Sequence, residues 1–267
     1  YNKKDSNILN RLQWWSDHYG HLKINEMTEE YVRHGINTLL TVGSTGLRAI
    51  SAQTTNRFKA NLSSVFEFAK DKYNVKYNPC RTVRGKPEGK GRKRYLSEEE
   101  QLKFLQAAKG SSWDRFYLLI LMAITTGARR GELEKLRWSN IDFQNSKAFC
   151  DDTKNGSDKV IQLTESVVKE LKKIRTMGHA LVFGHPKRPN SVYDCRKEWD
   201  IALKQAGIEA IDKKGEKIVF HSLRHTFCST LANQGVNVNE IAALAGHKSL
   251  QTTMRYTHTH DQRLASV

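Results

Sequence analysis

Long apolar runs are missing from this 267-residue chain. None approaches the roughly 20 residues that a membrane span needs, and no charged n-region with an apolar h-region opens the sequence, so a soluble, intracellular protein is expected. Cysteine is scarce. The four present, Cys80, Cys150, Cys195 and Cys228, form no C-x-x-C pair, so neither a zinc ribbon nor a disulfide framework is indicated and reduced thiols are expected. Acidic residues are in deficit, 28 Asp plus Glu against 44 Lys plus Arg, which leaves a formal net charge of +16. Such an excess attracts polyanions over a wide surface, with nucleic acid the leading partner and an acidic membrane surface second. No internal repeat is evident. The first residue is Tyr1 rather than a methionine, from which a fragment of a longer product is expected.

What is present organises the chain into two helical regions. A hydrophobic content of 38% is compatible with a proper core. From Ser6 to Tyr19 the residues Ile8, Leu9, Leu12 and Trp15 recur at helical spacing before Gly20, and a second helix is expected after Thr28. The longest pattern, Ala52 to Tyr73, carries Phe58, Leu62, Val65, Phe66 and Ala69 on one broad face. Then "NPCRTVRGKPEGKGRKRYLSEEE" interrupts the periodicity. Seven of the fourteen residues from Arg81 to Arg94 are basic. We expect a helical domain over 1–80, a basic linker over 81–94 and a second domain over 95–267, opened by a capping box of Ser97 and Glu100. Arg84, Lys86, Lys90, Arg92, Lys93 and Arg94 are the linker's candidate phosphate contacts.

In the second region the apolar stretch "WDRFYLLILMAITTG" reads as a helix ending at Gly127, and "KAFCDD" and "DKVIQLT" as strands joined at Asn155-Gly156. A helix pair precedes "FHSLRHTFCSTLANQG", where Leu223, Phe227, Thr230 and Leu231 share one side while His221, Arg224, His225 and Cys228 point to another. Asn237 is placed to cap the next helix. A short helix, "LQTTMRYTH", follows. The fold class expected is mainly α with a small antiparallel β-sheet.

Four separated pieces, "TGARRGEL", "TKNG", "HSLRHTF" and "GHKSLQTTMRYTH", stand in this order, with His247 nine residues before Tyr256. The chain thereby resembles the tyrosine recombinases, the phage integrase family. The resemblance implies a helical N-terminal core-binding domain and a mixed α/β C-terminal catalytic domain, closing as a clamp on double-stranded DNA that carries specific recombination sites. It implies a homotetramer on DNA, DNA-bending accessory proteins as further partners, and a prokaryotic, cytoplasmic, nucleoid-associated location. Carried over by position, the catalytic residues are Arg129, Lys154, His221, Arg224, His247 and Tyr256, with Glu132 in support. No cofactor and no metal is implied. Cleavage would leave a 3′-phosphotyrosyl link and a free 5′-hydroxyl. Ser222, Ala245 and Gln162 depart from the family's usual Asp, Leu and Pro, and Lys159 on the same hairpin competes with Lys154 for the lysine's role.

The chemistry is coherent on its own terms. Two guanidiniums can each donate paired hydrogen bonds to the nonbridging oxygens of a phosphodiester under attack. A tyrosine with a pKa of about 10 needs cationic neighbours or a base to become a nucleophile, and a lysine can protonate the departing oxygen. Three other readings compete. A type IB topoisomerase uses a similar set, a regulator without catalysis would leave Arg129 and Lys154 idle, and a zinc hydrolase on His221 and His225 lacks the H-E-x-x-H glutamate.

Overall fold

In the computed structural model the described residues are 7–89, 94–150, 159–176, 178–213 and 215–256. They fall into two compact units, Tyr1–Gly91 and Arg92–Val267.

The first unit is built on three helices, α1 (Asn7–Tyr19), α2 (Glu29–Thr41) and α3 (Ala52–Tyr73). Ser51 starts α3 by accepting a hydrogen bond from the Thr54 backbone N–H, the ordinary N-cap contact. Phe58, Leu62, Phe66 and Ala69 of α3 are buried against Val32, Ile36 and Leu39 of α2 and the two tryptophans of α1. Each buried Val, Leu, Ile or Phe side chain among them contributes about 1.5–3 kcal/mol. The face of α1 departs from the sequence expectation. Leu9 is 75% exposed, whereas Arg11, Trp14 and Trp15 turn inward. Trp15, on the expected face, donates its indole N–H to the Phe58 carbonyl at 3.0 Å, and the buried Arg11 donates to Asn61 Oδ1 at 3.3 Å.

The basic stretch after α3 is less of a tether than expected. Cys80 and Val83 are buried in the first unit's core, Lys59 Nζ donates to the Val83 carbonyl at 2.6 Å, and Asn56 pairs with both backbone groups of Lys86 at 2.8 Å. Polar side chains of α3 satisfy this backbone in place of a ladder.

The second unit begins with α4 (Glu98–Lys109), where Ser97 and Glu100 form the expected capping box. Next comes α5 (Phe116–Thr126), apolar all round and buried on nearly every side, which makes it the unit's central helix. It packs against α4, against α7 (Glu165–Lys173) and against α9 (Phe220–Asn233). Between α5 and α7 lie the short α6 (Arg130–Glu134) and an antiparallel meander, β1 (Ile141–Asp142), β2 (Lys147–Cys150) and β3 (Lys159–Gln162). A second sheet, unexpected from the sequence, pairs β4 (Gly184–His185) with β5 (Arg188–Val192). The remaining helices are α8 (Arg196–Gln205), α10 (Val238–Ala245), capped by Asn237, and α11 (Leu250–Met254). Among the described residues no helix is long and apolar enough to cross a membrane.

Candidate active site

Helix α5 ends where the site begins. Gly127 takes the left-handed conformation at φ +61° and turns the chain toward Arg129, and a Cβ there would lie 2.4 Å from the Phe227 ring of α9. Only glycine fits this approach without displacing that ring. The Gly127 carbonyl then accepts from Arg224 Nη1 at 2.7 Å, so the turn and α9 are joined by a side chain of the site.

Arg129 precedes α6 and is locked by Glu132. The carboxylate accepts from the Arg129 backbone N–H at 2.9 Å and from Nη1 at 2.7 Å, while Nη2 reaches the Gly246 carbonyl at 3.2 Å. Its neighbour Arg130 diverges, pairing with Glu134 and lying over the Phe220 ring. The motif's two arginines therefore serve different surroundings.

Glu132 has a second cation. Lys159 Nζ donates at 3.0 Å to Oε2, the oxygen that also takes the Arg129 backbone N–H, and at 3.2 Å to the Ala245 carbonyl. Alternation along β3 explains the reach: Lys159 and the buried Ile161 share a face, opposite Val160 and Gln162. Burial raises the Glu132 pKa, but the Lys159 ammonium and the Arg129 hydrogen bonds outweigh it and hold the carboxyl below its ordinary range. Gly246, at φ +68°, ends α10 against this lysine, where a Cβ would come within 3.1 Å of Lys159 Cε.

The polar side of α9 is not a solvated face. Residues 222–229 are all buried, Arg224 at 2% exposure. Arg224 Nη2 is buried with no hydrogen-bond partner among the described residues. Burial, with Arg129 nearby, lowers its pKa, yet a guanidinium in a protein stays charged. Ser222, at the position of the family's usual Asp, accepts from the Val219 backbone N–H at 3.2 Å and so secures the start of α9.

His247 follows α10, and Tyr256 sits one residue beyond the α11 cap. His247 Nδ1 meets Thr253 Oγ1 at 2.7 Å, and its ring lies parallel to the Tyr256 ring with centroids 6.5 Å apart. Burial, with Arg224 and Arg129 close by, lowers the His247 pKa to about 4. Tyr256 is only 6% exposed, packed among Phe227, Cys228, Ile241 and Ala245, and its hydroxyl is hydrogen-bonded to Nδ1 of His225. Burial raises the phenol's pKa above its ordinary value. His221 is exposed and meets the His225 ring edge-on at 5.0 Å.

Arg129, Glu132, Arg224, His247 and Tyr256 are thus gathered by α6, α9 and the segment from α10 to α11, with His221 at the margin beside His225. Lys154, Lys90, Arg92 and Lys93 lie outside the described residues. Of the remaining linker residues, Arg84 is exposed, Lys86 is half-buried, and Arg94 is engaged by Glu100. Motif matching left His225 without a catalytic role and Lys159 only as the competitor of Lys154. For Lys159 the signal was the two-residue alternation with Ile161; for His225 it was a place on a helix too apolar to leave its polar side in water. Among the described residues no group of three or more His, Cys, Asp or Glu side chains is arranged to hold a metal ion.

Comparison with known proteins places this arrangement. The model of the phage integrase family matches residues 94–263. A shufflon-specific DNA recombinase of Escherichia coli is 29% identical over 221 residues, which are 82% of this chain and 54% of that protein. A tyrosine recombinase XerA of Pyrococcus furiosus is 32% identical over 174 residues, 63% of this chain and 58% of that protein. The chain therefore spans about half the length of these curated relatives. In fold it is similar to a lambda integrase dimer bound to a COC′ core site, with a TM-score of 0.75 at 19% identity, covering 96% of this chain and 89% of that one. It is similar also to the Tn1549 transposon integrase in complex with transposon right end DNA, with a TM-score of 0.74 at 20% identity, covering 100% and 95%. With the family model spanning α4 to Tyr256, the chain belongs to the phage integrase family of tyrosine recombinases.

Proposed function

We propose that this chain cleaves and rejoins DNA at specific recombination sites through a 3′-phosphotyrosyl intermediate, in the integration or excision of a mobile element or phage. The observation that carries this reading is the buried Nη2 of Arg224, without a hydrogen-bond partner among the described residues, in the same site as Arg129, His247 and Tyr256. A guanidinium with a spare donor in a dry site is suited to an anionic oxygen, and two of them match the equatorial oxygens of a phosphodiester under attack. Glu132 holds Arg129 in position. Tyr256 attacks phosphorus, His247 and His221 line the reacting centre, and Lys154 protonates the departing 5′ oxygen. Bond energy stays in the phosphotyrosyl ester, so rejoining needs no nucleotide.

The net charge of +16 supports binding to duplex DNA through its phosphates, with Arg84, Lys86, Lys90, Arg92, Lys93 and Arg94 among the contacts. On two sites four protomers assemble, with bending proteins assisting, in the cytoplasm of a prokaryotic cell. A nicked suicide substrate tests the reading. Tyr256→Phe should keep DNA binding and lose the covalent protein–DNA band on a denaturing gel, because only the attacking oxygen is removed. A covalent band from the Phe variant would mean that another residue is the nucleophile.

A further inference from the structure

As its oxygen attacks phosphorus, Tyr256 must shed a proton, and a ring nitrogen in contact with its hydroxyl is the natural acceptor. His247 directs Nδ1 to Thr253 and presents a ring face at 6.5 Å, and His221 packs edge-on against another histidine. His225 is the ring in contact. It follows Arg224 on α9, is 8% exposed, and sets Nδ1 in hydrogen-bond contact with the Tyr256 hydroxyl, ring centroids 5.7 Å apart.

We propose that His225 takes the Tyr256 proton during strand cleavage and returns it during rejoining, a role that rests on the reading of Tyr256 as the nucleophile. In the free protein the phenol O–H donates to Nδ1, and the ring's own proton sits on Nε2. As the bond from Tyr256 Oη to phosphorus forms, the O–H bond breaks and its proton passes to Nδ1, leaving an imidazolium. The bond from phosphorus to the 5′ oxygen breaks, and that oxygen takes a proton from the acid assigned to Lys154. Rejoining reverses each transfer, so protons and bonds balance without another reactant.

The surroundings of His225 suit an acceptor that must be empty beforehand. Burial comes first, then His221 and Arg224 on its own helix and Arg255 beside the tyrosine, all acting against the imidazolium, and together they lower the pKa to about 4. Cys228, on the same helix, faces the phenol as well. A DNA phosphate entering beside Arg224 adds the negative charge that the imidazolium needs.

Two variants separate this role from packing. His225→Gln keeps an acceptor for the hydroxyl but its amide cannot take up the proton, so single-turnover formation of the covalent complex should slow by about 10² with DNA affinity unchanged. His225→Ala should be equally slow and partly restored by added imidazole. A substrate with sulfur at the bridging 5′ position should rescue neither, because the defect is on the attacking side. Parent-like cleavage by His225→Gln overturns the proposal, and cleavage faster than the parent makes the contact a lock. Rescue by bridging sulfur, or failure of imidazole to restore His225→Ala, overturns it too. Tyr256→Phe runs beside these variants, and a covalent band there sinks the nucleophile assignment itself.

Discussion

Replacing Gly127 by alanine puts the joint between α5 and the site under test. The residue sits at φ +61°, and the added methyl would lie 2.4 Å from Phe227 Cδ1 and 3.0 Å from two further ring carbons. An L-residue in the left-handed region costs about 1–2 kcal/mol. Forcing a methyl against a packed ring costs about 1–3 kcal/mol more. Since Phe227 is buried on α9, the ring cannot simply swing into water. The sum, about 2–5 kcal/mol, corresponds to a melting temperature lower by roughly 5–15 °C for a unit of this size. Function should suffer by a second route. The Gly127 carbonyl holds Arg224 at 2.7 Å, and a displaced guanidinium about 1 Å from its place slows cleavage by around 10². Differential scanning calorimetry and single-turnover cleavage read the two effects. Gly131→Ala is the control for stability, because a Cβ at Gly131 meets nothing within 4 Å. If Gly127→Ala melts with the parent, the close approach of this turn to α9 is wrong.

The other expectations follow from charge and burial. Lys159→Met should lower stability by about 3 kcal/mol, the low end for breaking a buried pair because Arg129 still partners Glu132; its cleavage defect should persist on a bridging-sulfur substrate, whereas Lys154→Ala should be rescued. The reverse pattern would make Lys159 the acid. His225 and His247, both lowered to about 4 chiefly by burial, stay neutral in the folded protein while the unfolded chain takes up protons below about 6.5. Stability should therefore fall as pH drops from about 6.5 toward 4, by up to about 1.4 kcal/mol per pH unit for each fully shifted group, and urea midpoints that stay flat across pH 7, 6 and 5 would contradict this. DNA affinity should weaken steeply with salt, and equal binding at low and physiological salt would remove the phosphate contacts from the argument.

How far these features were legible in the sequence depends on the range of the interaction that sets them. Local signals read well: the Ser97–Glu100 capping box starts α4, and Gly127 ends α5. The face of α1 read only in part: Trp15 is inward as expected, but Leu9 is exposed and Arg11 is buried, where it meets Asn61 from 50 residues away. The two-stranded sheet of β4 and β5 was missed because its strands are two and five residues long and carry little apolar alternation. In the site, motif order gathered Arg129, Glu132, Arg224, His247 and Tyr256, but a motif does not say which histidine reaches the phenol. That answer belongs to packing: α9 is buried over 222–229, so its rings are aimed by neighbours rather than by sequence position.

The spare donor on Arg224 has a consequence for how this protein holds its shape. Among the described residues its Nη2 meets no acceptor while Nη1 is tied to the Gly127 carbonyl, so one edge of the guanidinium joins the turn after α5 to α9 and the other is left for an anion. An anion taken up there would hold the same guanidinium from its second side. Binding and stability are then linked: duplex DNA should raise the parent's melting temperature, whereas an Arg224→Met variant, which also loses the bond to the Gly127 carbonyl, should melt lower and gain less from DNA.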